Sequence, residues 1–341
     1  MAYTQNPTSA KKAAFHRALQ RWYETHGRHS LPWRNTSDAY AIYISEIMLQ
    51  QTQVKTVLEH YYTPFLKAFP TLKKLAQADK QAVIKQWEGL GYYTRAANMH
   101  AAAKQCKGVL PETVEELQKL PGIGRNTANA IACFSYGQAV PIMEANVRRV
   151  LCRVFALTQA DDKILWKKAE WLLDKKSSFN YNQAMMDIGA LICKKLNPSC
   201  DTCPLSMICK GKISPVSYPA PKSSKATPIR HRIIVVLRDA KGGYYVRRRE
   251  SRFLHGLYGF PEYAPDAKYI VYNNQKYPLK KTSIIGQIKQ TYSHFTLQAI
   301  VHSLPVPMEK ENAGDLYRAT LKEMQTLPLS RADHKILGLF I

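Results

Sequence analysis

Four of the seven cysteines in this sequence lie in one short stretch, CKKLNPSCDTCPLSMIC, at residues 193–209. Four thiolates so close together can bind a zinc ion or hold a [4Fe–4S] cluster. Zinc sites more often use two Cys-x-x-Cys pairs, whereas the spacing here is C-x6-C-x2-C-x5-C, and this spacing alone leaves both groups open. The candidate metal ligands are Cys193, Cys200, Cys203 and Cys209. The other three cysteines are scattered on predicted apolar helix faces, where we expect them in the core: Cys106, Cys133 and Cys152.

A second candidate site is the glycine-containing loop LPGIGRNTA at residues 120–128. Gly122 and Gly124 precede a predicted helix, and glycine lets backbone N–H groups approach a phosphate at a helix N-terminus. A G-x-G pair alone is often just a turn. Because this one follows the helical pattern VEELQKL, we predict a helix–hairpin–helix near residues 114–132. Such a motif contacts the DNA backbone without reading the base sequence.

The charge balance supports a nucleic-acid partner. Lysine and arginine number 49 against 25 acidic residues, which gives a formal net charge of +24. Clustered cations bind phosphates through counterion release. No run of about 18 apolar residues is present, and the start MAYTQNPTSAKKAAF lacks the apolar core of a signal peptide. We therefore expect an intracellular protein that is neither secreted nor bound to a membrane, in which clustered cysteines stay reduced and bind metal.

These candidate residues must be positioned by more than one domain, because 341 residues exceed the usual size of a single domain. A stretch rich in proline and serine predicts a linker at residues 212–228. Before it, residues 1–211 show helical periodicity and no convincing strand. After it, residues 229–341 contain HRIIVVLRDAKGGYYVRRR at 231–249, two β-rich runs joined by a glycine-containing turn, which predict a β-hairpin. Further predicted elements are strands at 269–273 and 295–301 and a closing helix at 331–340.

The combination of a helix–hairpin–helix with the later cysteine pattern resembles the endonuclease III superfamily of DNA glycosylases. Within it, LPWRNTSDAYAIYISEIMLQQTQV, WEGLGYYTRAANMH and NQAMMDIGALIC are similar to the adenine DNA glycosylase (MutY) family. The resemblance covers nearly the whole chain. It implies a multidomain fold, with an all-α helix–hairpin–helix glycosylase domain that carries a [4Fe–4S] cluster loop and an α+β Nudix-like C-terminal domain.

The resemblance also implies a [4Fe–4S] cluster rather than zinc. In the family the cluster is structural and shapes a loop that presents cations to the DNA backbone. The cations available for this role here are Lys194, Lys195, Lys210 and Lys212.

A catalytic acid is implied on the predicted helix that follows Asp38, a residue type that caps helix N-termini. One helix through AYAIYISEIMLQQTQV would place Glu46, Gln50 and Gln53 on one face. By resemblance, Glu46 protonates adenine and makes it a neutral leaving group. This role requires a carboxyl whose pKa is raised, and an apolar helix face supplies the partial burial that raises it.

The second catalytic position departs from the family pattern. Where the family has Asp-Gly-Asn, this chain has Glu144, Ala145 and Asn146. The resemblance implies that Glu144 stabilises the oxocarbenium ion and that Asn146 is also catalytic. The side chain of Glu144 is longer than aspartate by one methylene, and a misplacement of about 1 Å can cost about 10²-fold in rate. A slow enzyme, or a DNA-damage binder without turnover, therefore stays an alternative.

Asn126 separates two classes of glycosylase. Relatives of endonuclease III that also nick the strand have a lysine nucleophile there, whereas adenine glycosylases often have serine or tyrosine. The missing lysine predicts a monofunctional glycosylase. It argues, together with the second domain, against an endonuclease III-like enzyme for oxidised pyrimidines.

The remaining site residues are implied to contact DNA, which an aromatic wedge between base steps helps to distort. Positions that match probes of the base stack are Gln50, Gln51 and Tyr92, and Leu90 is a further candidate contact to DNA. Arg34 and Asp187 match positions of the base pocket. In the second domain, Tyr292, Ser293 and His294 match the loop that recognises 8-oxoguanine, and the segment after Glu262 lacks the glutamate-rich box of a Nudix hydrolase. The expected partner is double-stranded DNA with 8-oxoguanine:adenine or guanine:adenine mispairs, bound by a monomer.

Overall fold

The fold separates into two compact units. The computed structural model describes residues 8–159, 161–221, 226–251, 253–308 and 312–340. The first unit, called the helical unit, comprises residues 1–66, 71–73 and 102–223. The second, called the mixed unit, comprises residues 67–70, 74–101 and 224–341. Across the described residues, no helix is both long enough and apolar enough to cross a membrane.

Regular structure before residue 211 is helical throughout the described residues, as the sequence predicts. The helices are α1 (Ser9–His26), α2 (Ala39–Leu49), α3 (Val54–His60), α4 (Tyr62–Ala68), α5 (Leu72–Gln77), α6 (Lys80–Gln86), α7 (Thr94–Gln105), α8 (Val114–Leu117), α9 (Arg125–Tyr136), α10 (Ala145–Val154), α11 (Asp162–Leu172) and α12 (Ser178–Asp187).

Helix α2 begins where the sequence predicts but ends earlier. The Asp38 side chain accepts a hydrogen bond from the Tyr40 N–H (3.0 Å) and caps the helix. The helix ends at Leu49 because the backbone turns, with Gln51 in the left-handed region at a φ of 56°. Gln53 then lies at the N-terminus of α3. The prediction that Glu46, Gln50 and Gln53 share one helix face is therefore wrong.

The helix–hairpin–helix is formed by α8 and α9. The Thr113 side chain accepts from the Glu116 N–H (3.3 Å) and caps α8. Gly122 has a φ of 77°, which favours glycine, and Gly124 lies at the N-cap of α9. The buried side chain of Ile123, between the two glycines, anchors the hairpin in the protein interior.

The core of the helical unit forms where α1, α10 and α12 pack together. Phe15 and Leu19 of α1 belong to the same buried cluster as Val150 of α10. Cys133 and Cys152 are buried, as expected of core residues. Cys106 is half-buried, so it lies at the edge of the core rather than within it.

The first part of the predicted linker is bonded to the helical unit. Arg153 Nε donates to the carbonyl oxygen of Pro215 (2.8 Å), and the Ala220 N–H donates to the carbonyl oxygen of Thr158 (2.9 Å). Residues 222–225 of the predicted linker lie outside the described residues.

The mixed unit is built on a sheet with the strand order β7-β8-β1-β2-β10-β9, in which β3 also pairs with β2 and β4 with β1. β1 and β2 are antiparallel neighbours, as the predicted hairpin requires, and β1 pairs with β8 in parallel. The strands of the unit are β1 (Ile229–Arg238), β2 (Gly243–Arg248), β3 (Tyr258–Gly259), β4 (Glu262–Tyr263), β5 (Tyr269–Tyr272), β6 (Gln275–Pro278), β7 (Ser283–Thr291), β8 (Thr296–Pro305), β9 (Asn312–Ala313) and β10 (Leu316–Thr320).

Strand β1 is buried on both faces because two cores form against it. Ile234 and Val236 pack with residues of α14 (Arg331–Leu337), whereas Val235 and Leu237 pack with Ile270 of β5. This alternation follows from the period of two along a strand. A short helix, α13 (Leu321–Thr326), precedes α14, and α14 ends three residues before the predicted closing helix does. Residues 229–341 thus have the α+β fold that the sequence predicts, whereas residues 67–70 and 74–101, predicted as part of the helical domain, belong to the mixed unit.

Candidate active site and recognition cleft

Glu46 lies on α2 with an apolar neighbourhood. Its neighbours Ile44, Ile47 and Met48 are buried. Burial raises the pKa of Glu46 to about 7, with a further increase from the negative charge of Glu144 and an opposing effect of the Arg34 charge. A carboxyl with this pKa is partly protonated near neutral pH and can donate a proton.

Glu144 lies at the N-cap of α10. Its carboxylate accepts hydrogen bonds from the backbone N–H groups of Asn146 (2.8 Å) and Val147 (3.1 Å). These contacts are the ones expected of a carboxylate at a helix N-terminus. Burial nevertheless outweighs them and raises the pKa of Glu144. Its charge acts on Glu46, which places both carboxyl groups in one site.

Asn146 is fixed by contacts that the sequence did not reveal. Its side-chain oxygen accepts from Arg149 Nη2 (2.7 Å), which also donates to the carbonyl oxygen of Gly189 (2.6 Å). A Cβ on Gly189 would lie 2.5 Å from the Cβ of Asn146, so only glycine fits there. The useful sequence signal is the spacing of three residues between Asn146 and Arg149, which places them on one helix face.

Arg34 and Asp187 bind each other. Arg34 Nη1 donates to Asp187 Oδ2 (2.7 Å) and Nη2 to Oδ1 (2.8 Å), and Asp187 is fully buried. Arg28 adds a backbone N–H bond (2.8 Å) and an Nε bond (2.7 Å) to the same carboxylate. Burial alone would raise the pKa of Asp187, but the two arginines outweigh it and lower the pKa. The sequence analysis missed Arg28, whose role depends on a contact between distant parts of the chain.

The Nε atom of Arg34 takes no part in this ion pair. Among the described residues, Arg34 Nε is buried without a hydrogen-bond partner. The charge of Arg34 also lowers the pKa of Glu46, so the arginine lies within electrostatic reach of the candidate acid. The pair therefore belongs to the surroundings of the carboxyl site.

Two residues in the first turn of α9, Asn126 and Thr127, bind other segments of the site. Gln50 Nε2 donates to Thr127 Oγ1 (3.3 Å), which places Gln50 against this turn. Asn126 Oδ1 accepts from the Met143 N–H (2.7 Å), directly before Glu144. The residue that replaces the lysine of strand-nicking relatives thus holds the segment that carries Glu144.

The glycine loop leaves room at the start of α9. No atom within the described structure lies within 4 Å of a Cβ built on Gly124, and no side chain caps this helix. The first N–H groups of a helix attract anions, since they have no intrahelical partner. The positions of Gly122 and Gly124 are therefore compatible with a phosphate contact.

The four clustered cysteines line one small cavity of about 20 Å³. All four thiols are free, and burial raises the pKa of Cys203 and of Cys209 to about 11. Among the described residues, no group of three or more His, Cys, Asp or Glu side chains is placed to hold a single metal ion. Four thiols around one cavity nevertheless match the donor set of an iron–sulfur cluster. The nearby cations are all exposed: Lys194, Lys195, Lys210 and Lys212.

In the mixed unit, residues 290–295 form the turn between β7 and β8, here called the recognition turn. The Tyr292 N–H donates to the carbonyl oxygen of Phe295 (2.9 Å), which closes the turn. Ser293 and His294 are exposed, with the serine hydroxyl 3.2 Å from His294 Nδ1. The His294 ring packs edge-on against Phe253, with the ring centres 5.1 Å apart.

A second turn of the mixed unit, residues 89–94, faces the recognition turn across a cleft of about 840 Å³. We call it the wedge turn. Tyr92 is 42% exposed and has a φ of 49°, whereas Tyr93 is buried and its hydroxyl accepts from the Gly89 N–H (3.1 Å). Leu90, predicted to contact DNA, is 7% exposed. Of the two adjacent tyrosines, Tyr93 is therefore the core residue and Tyr92 the accessible one.

Comparison with known proteins finds two matched regions along the chain. Residues 44–174 match the HhH-GPD superfamily of base excision DNA repair proteins, and residues 233–339 match the NUDIX domain family. The adenine DNA glycosylase of Buchnera aphidicola subsp. Baizongia pistaciae is 36% identical over 296 residues, which cover 83% of this chain and 84% of that protein. That of Buchnera aphidicola subsp. Acyrthosiphon pisum is 32% identical over 345 residues, which cover 96% of this chain and 98% of that protein.

Among solved structures, a thermostable thymine-DNA glycosylase is similar to 61% of this chain and 99% of its own, with a TM-score of 0.57 and 27% identity. The curated relatives extend across both units. Since this identity persists along nearly the full length of both proteins, the chain belongs to the adenine DNA glycosylase (MutY) family of base excision DNA repair enzymes.

Proposed function

We propose that this enzyme binds double-stranded DNA as a monomer and hydrolytically removes adenine paired with 8-oxoguanine or guanine. The observation that carries the proposal is the pair of partly buried carboxyl groups, Glu46 with a pKa of about 7 and Glu144 at the N-terminus of α10. Cleavage of a glycosidic bond calls for one carboxyl that donates a proton and one that faces the sugar cation. Two partly buried carboxyl groups with different surroundings supply these two roles.

In the first step, Glu46 donates its proton to a ring nitrogen of the extruded adenine. The bond between C1′ and the base then breaks, and its electron pair leaves with the neutral adenine. General acid catalysis of this kind contributes about 10²–10⁴-fold. The Arg34–Asp187 pair supports this step by holding a buried cation near Glu46.

In the second step, the ionised carboxylate of Glu144 faces the oxocarbenium ion. Its two backbone hydrogen bonds fix its direction, which matters because preorganised charge stabilises a transition state at no reorganisation cost. Water adds to C1′ and loses a proton, which leaves an abasic site. Asn126 offers no amine, so no Schiff base forms and the strand stays intact.

The opposite base is the proposed ligand of the cleft in the mixed unit. Tyr92 is exposed on one rim, where its ring can enter the base stack. Ser293 and His294 present polar atoms on the opposite rim and are the proposed contacts to 8-oxoguanine. In the helical unit, the proposed contacts to DNA are Gln50, Gln51, Gly122 and Gly124.

A [4Fe–4S] cluster is the proposed cofactor, held by Cys193, Cys200, Cys203 and Cys209. When bound, it would cross-link the loop as a structural group and present the neighbouring lysines to DNA. Purified protein is expected to be brown and to contain about four irons per chain. Stoichiometric zinc in elemental analysis would contradict this assignment.

The proposed function is tested by single-turnover adenine release from defined duplexes. The expected result is release from 8-oxoguanine:adenine and guanine:adenine duplexes, with the strand intact until alkali is added. Tight binding without release would instead show a DNA-damage binder. Cleavage of duplexes with oxidised pyrimidines, together with strand nicking, would show an endonuclease III-like enzyme.

A further inference from the structure

A partly buried carboxylate of the mixed unit, Glu88, lies directly before the wedge turn and has no role in the chemistry above. Its Oε1 accepts from the Leu329 N–H (2.7 Å) and lies 2.8 Å from His334 Nε2. Its Oε2 accepts from Lys85 Nζ (2.6 Å), and its side chain is 17% exposed. Hydrogen bonds to a charged acceptor in a site of this kind are stronger than neutral ones. Glu88 thus binds a segment that is distant from it in sequence.

Two further bonds join the same two segments. Lys85 Nζ donates to the carbonyl oxygen of Leu327 (2.9 Å), and Arg331 Nη2 donates to the carbonyl oxygen of Gly89 (3.2 Å). Gly89 is the first residue of the wedge turn, three residues before Tyr92. The start of the wedge turn is therefore attached to residues 327–331.

The other side of residues 327–331 meets the recognition turn. Leu329 belongs to a buried cluster against which Tyr292 packs, and Ser330 lines the cleft together with Tyr292. The Tyr258 N–H donates to the carbonyl oxygen of Pro328 (2.9 Å), which attaches this segment to β3. Residues 327–331 thus bond to the start of the wedge turn through Arg331 and share a packed cluster with the recognition turn.

We infer that Glu88 is a positioning residue that fixes the distance between Tyr92 and the recognition turn, and so determines how strongly the base opposite adenine controls adenine release. This inference rests on the proposed function. A wedge and a recognition turn that are held at one spacing can engage the same mispair together, since a small displacement of a positioned group is costly. Glu88 touches neither DNA nor the reacting atoms in this role.

The test compares Glu88→Ala and Glu88→Gln with the parent enzyme. The measured quantity is the ratio of single-turnover rates of adenine release from 8-oxoguanine:adenine and guanine:adenine duplexes. We expect Glu88→Ala to lower this ratio by about 2- to 30-fold, the usual range for residues that couple two sites. Glu88→Gln keeps an acceptor for the Leu329 N–H but places an amide beside Lys85, so its loss is expected to be smaller. Fluorescence of 2-aminopurine beside the mispair reports whether Tyr92 still unstacks the bases.

Asp239→Asn is the matched control. Asp239 is also a carboxylate of the mixed unit that accepts backbone N–H bonds, from Lys241 and Gly243 (both 2.9 Å), and pairs with Arg318 (2.6 Å). It lies in the turn between β1 and β2 and touches neither turn of the cleft. This variant is expected to lower Tm without changing the discrimination ratio or the 2-aminopurine signal.

A double-mutant cycle with Tyr292→Ala, which removes the ring that packs against the cluster of Leu329, completes the test. If residues 327–331 couple Glu88 to the recognition turn, the effects of Glu88→Ala and Tyr292→Ala on the ratio are not additive, whereas the effects of independent sites would add. An unchanged ratio in both Glu88 variants, or an equal change in Asp239→Asn, overturns the inference. A parent enzyme that releases adenine equally from both duplexes refutes the proposed 8-oxoguanine preference itself, so the two failures are distinguishable.

Discussion

The carboxyl site of the helical unit and the cleft of the mixed unit are built in opposite ways. In the carboxyl site, Glu46 and Glu144 are partly buried, and Glu144 is oriented by two backbone N–H groups. In the cleft, Tyr92 and His294 are exposed on turns; the Arg95 guanidinium lies over the Tyr92 ring (5.5 Å), and His294 packs edge-on against Phe253. The carboxyl site holds ionisable groups in fixed positions, whereas the cleft exposes an aromatic ring and polar atoms.

This difference separates the expected effects of mutation. A buried carboxyl whose pKa depends on its surroundings acts on the rate of bond cleavage, where electrostatic stabilisation is largest. Exposed side chains on a turn act on which duplex is preferred, and single contacts of this kind are worth much less. The predictions below test whether the two regions divide the work in this manner.

The largest expected effect is that of Glu46→Gln. The amide has nearly the shape of the carboxyl but no proton to donate, so adenine release is expected to fall by at least about 10²–10⁴-fold. Binding to the 8-oxoguanine duplex is expected to stay near that of the parent. Glu59→Gln, which changes an exposed glutamate of α3, is the control and is expected to leave the rate unchanged. A Glu46→Gln enzyme that cleaves at the parental rate would show that Glu46 is not the acid.

The next effect is expected at Glu144. Glu144→Gln removes the negative charge that faces the sugar cation and is expected to slow release by about 10²–10³-fold without weakening binding. Glu144→Asp keeps the charge, so it is expected to remain active. A slower Asp variant would show that the pocket has adjusted to the longer side chain, with Ala145 in place of glycine. A faster Asp variant would show that the pocket keeps the size that suits the aspartate of the family. If Glu144→Gln releases adenine at the parental rate, another group stabilises the sugar cation.

Local patterns in the sequence were sufficient for some of these features. Asp38 before an apolar run predicts the start of α2, and two β-rich runs joined by a glycine-containing turn at residues 231–249 predict the β1–β2 hairpin. The end of α2 was not predictable, because no glycine or proline marks the left-handed turn at Gln51. The Arg28–Asp187 contact was missed for a different reason, since it depends on how distant helices pack.

The net effect of burial and hydrogen bonding on the pKa of Glu144 also could not be predicted from the sequence. Position at the N-cap predicts the two N–H bonds of Glu144 correctly, yet it does not show how deeply the carboxyl is buried. Exposure of Tyr92 and burial of Tyr93 likewise follow from the turn at Gly91 rather than from either residue type. Residue types therefore predicted which groups are present, and packing decided how they behave.

The pH dependence of adenine release is expected to be smaller than the effect of removing either carboxyl. The working form of Glu46 is protonated, so the rate falls as pH rises through its pKa of about 7, by about tenfold per pH unit above it. Glu144 must be ionised, and its raised pKa brings the acidic limb of the profile closer to neutrality than usual. Single-turnover rates at fixed ionic strength measure the profile. A rate that rises steadily through pH 7 would mean that ionised Glu46 is required, and hence that it acts as a base.

The smallest effect is expected at His294, which gives the most sensitive test of the proposed division of roles between the two regions. Replacing it by alanine removes one polar contact and its ring packing on Phe253 and Phe295, and a single hydrogen bond contributes about 1 kcal/mol, or about fivefold. The preference for 8-oxoguanine over guanine opposite adenine is expected to fall by this factor, with the rate on guanine:adenine duplexes unchanged. His231→Ala, at an exposed position of β1, is the control. A loss of rate on both duplexes would place His294 in the chemistry, and the division between the two regions would then be wrong.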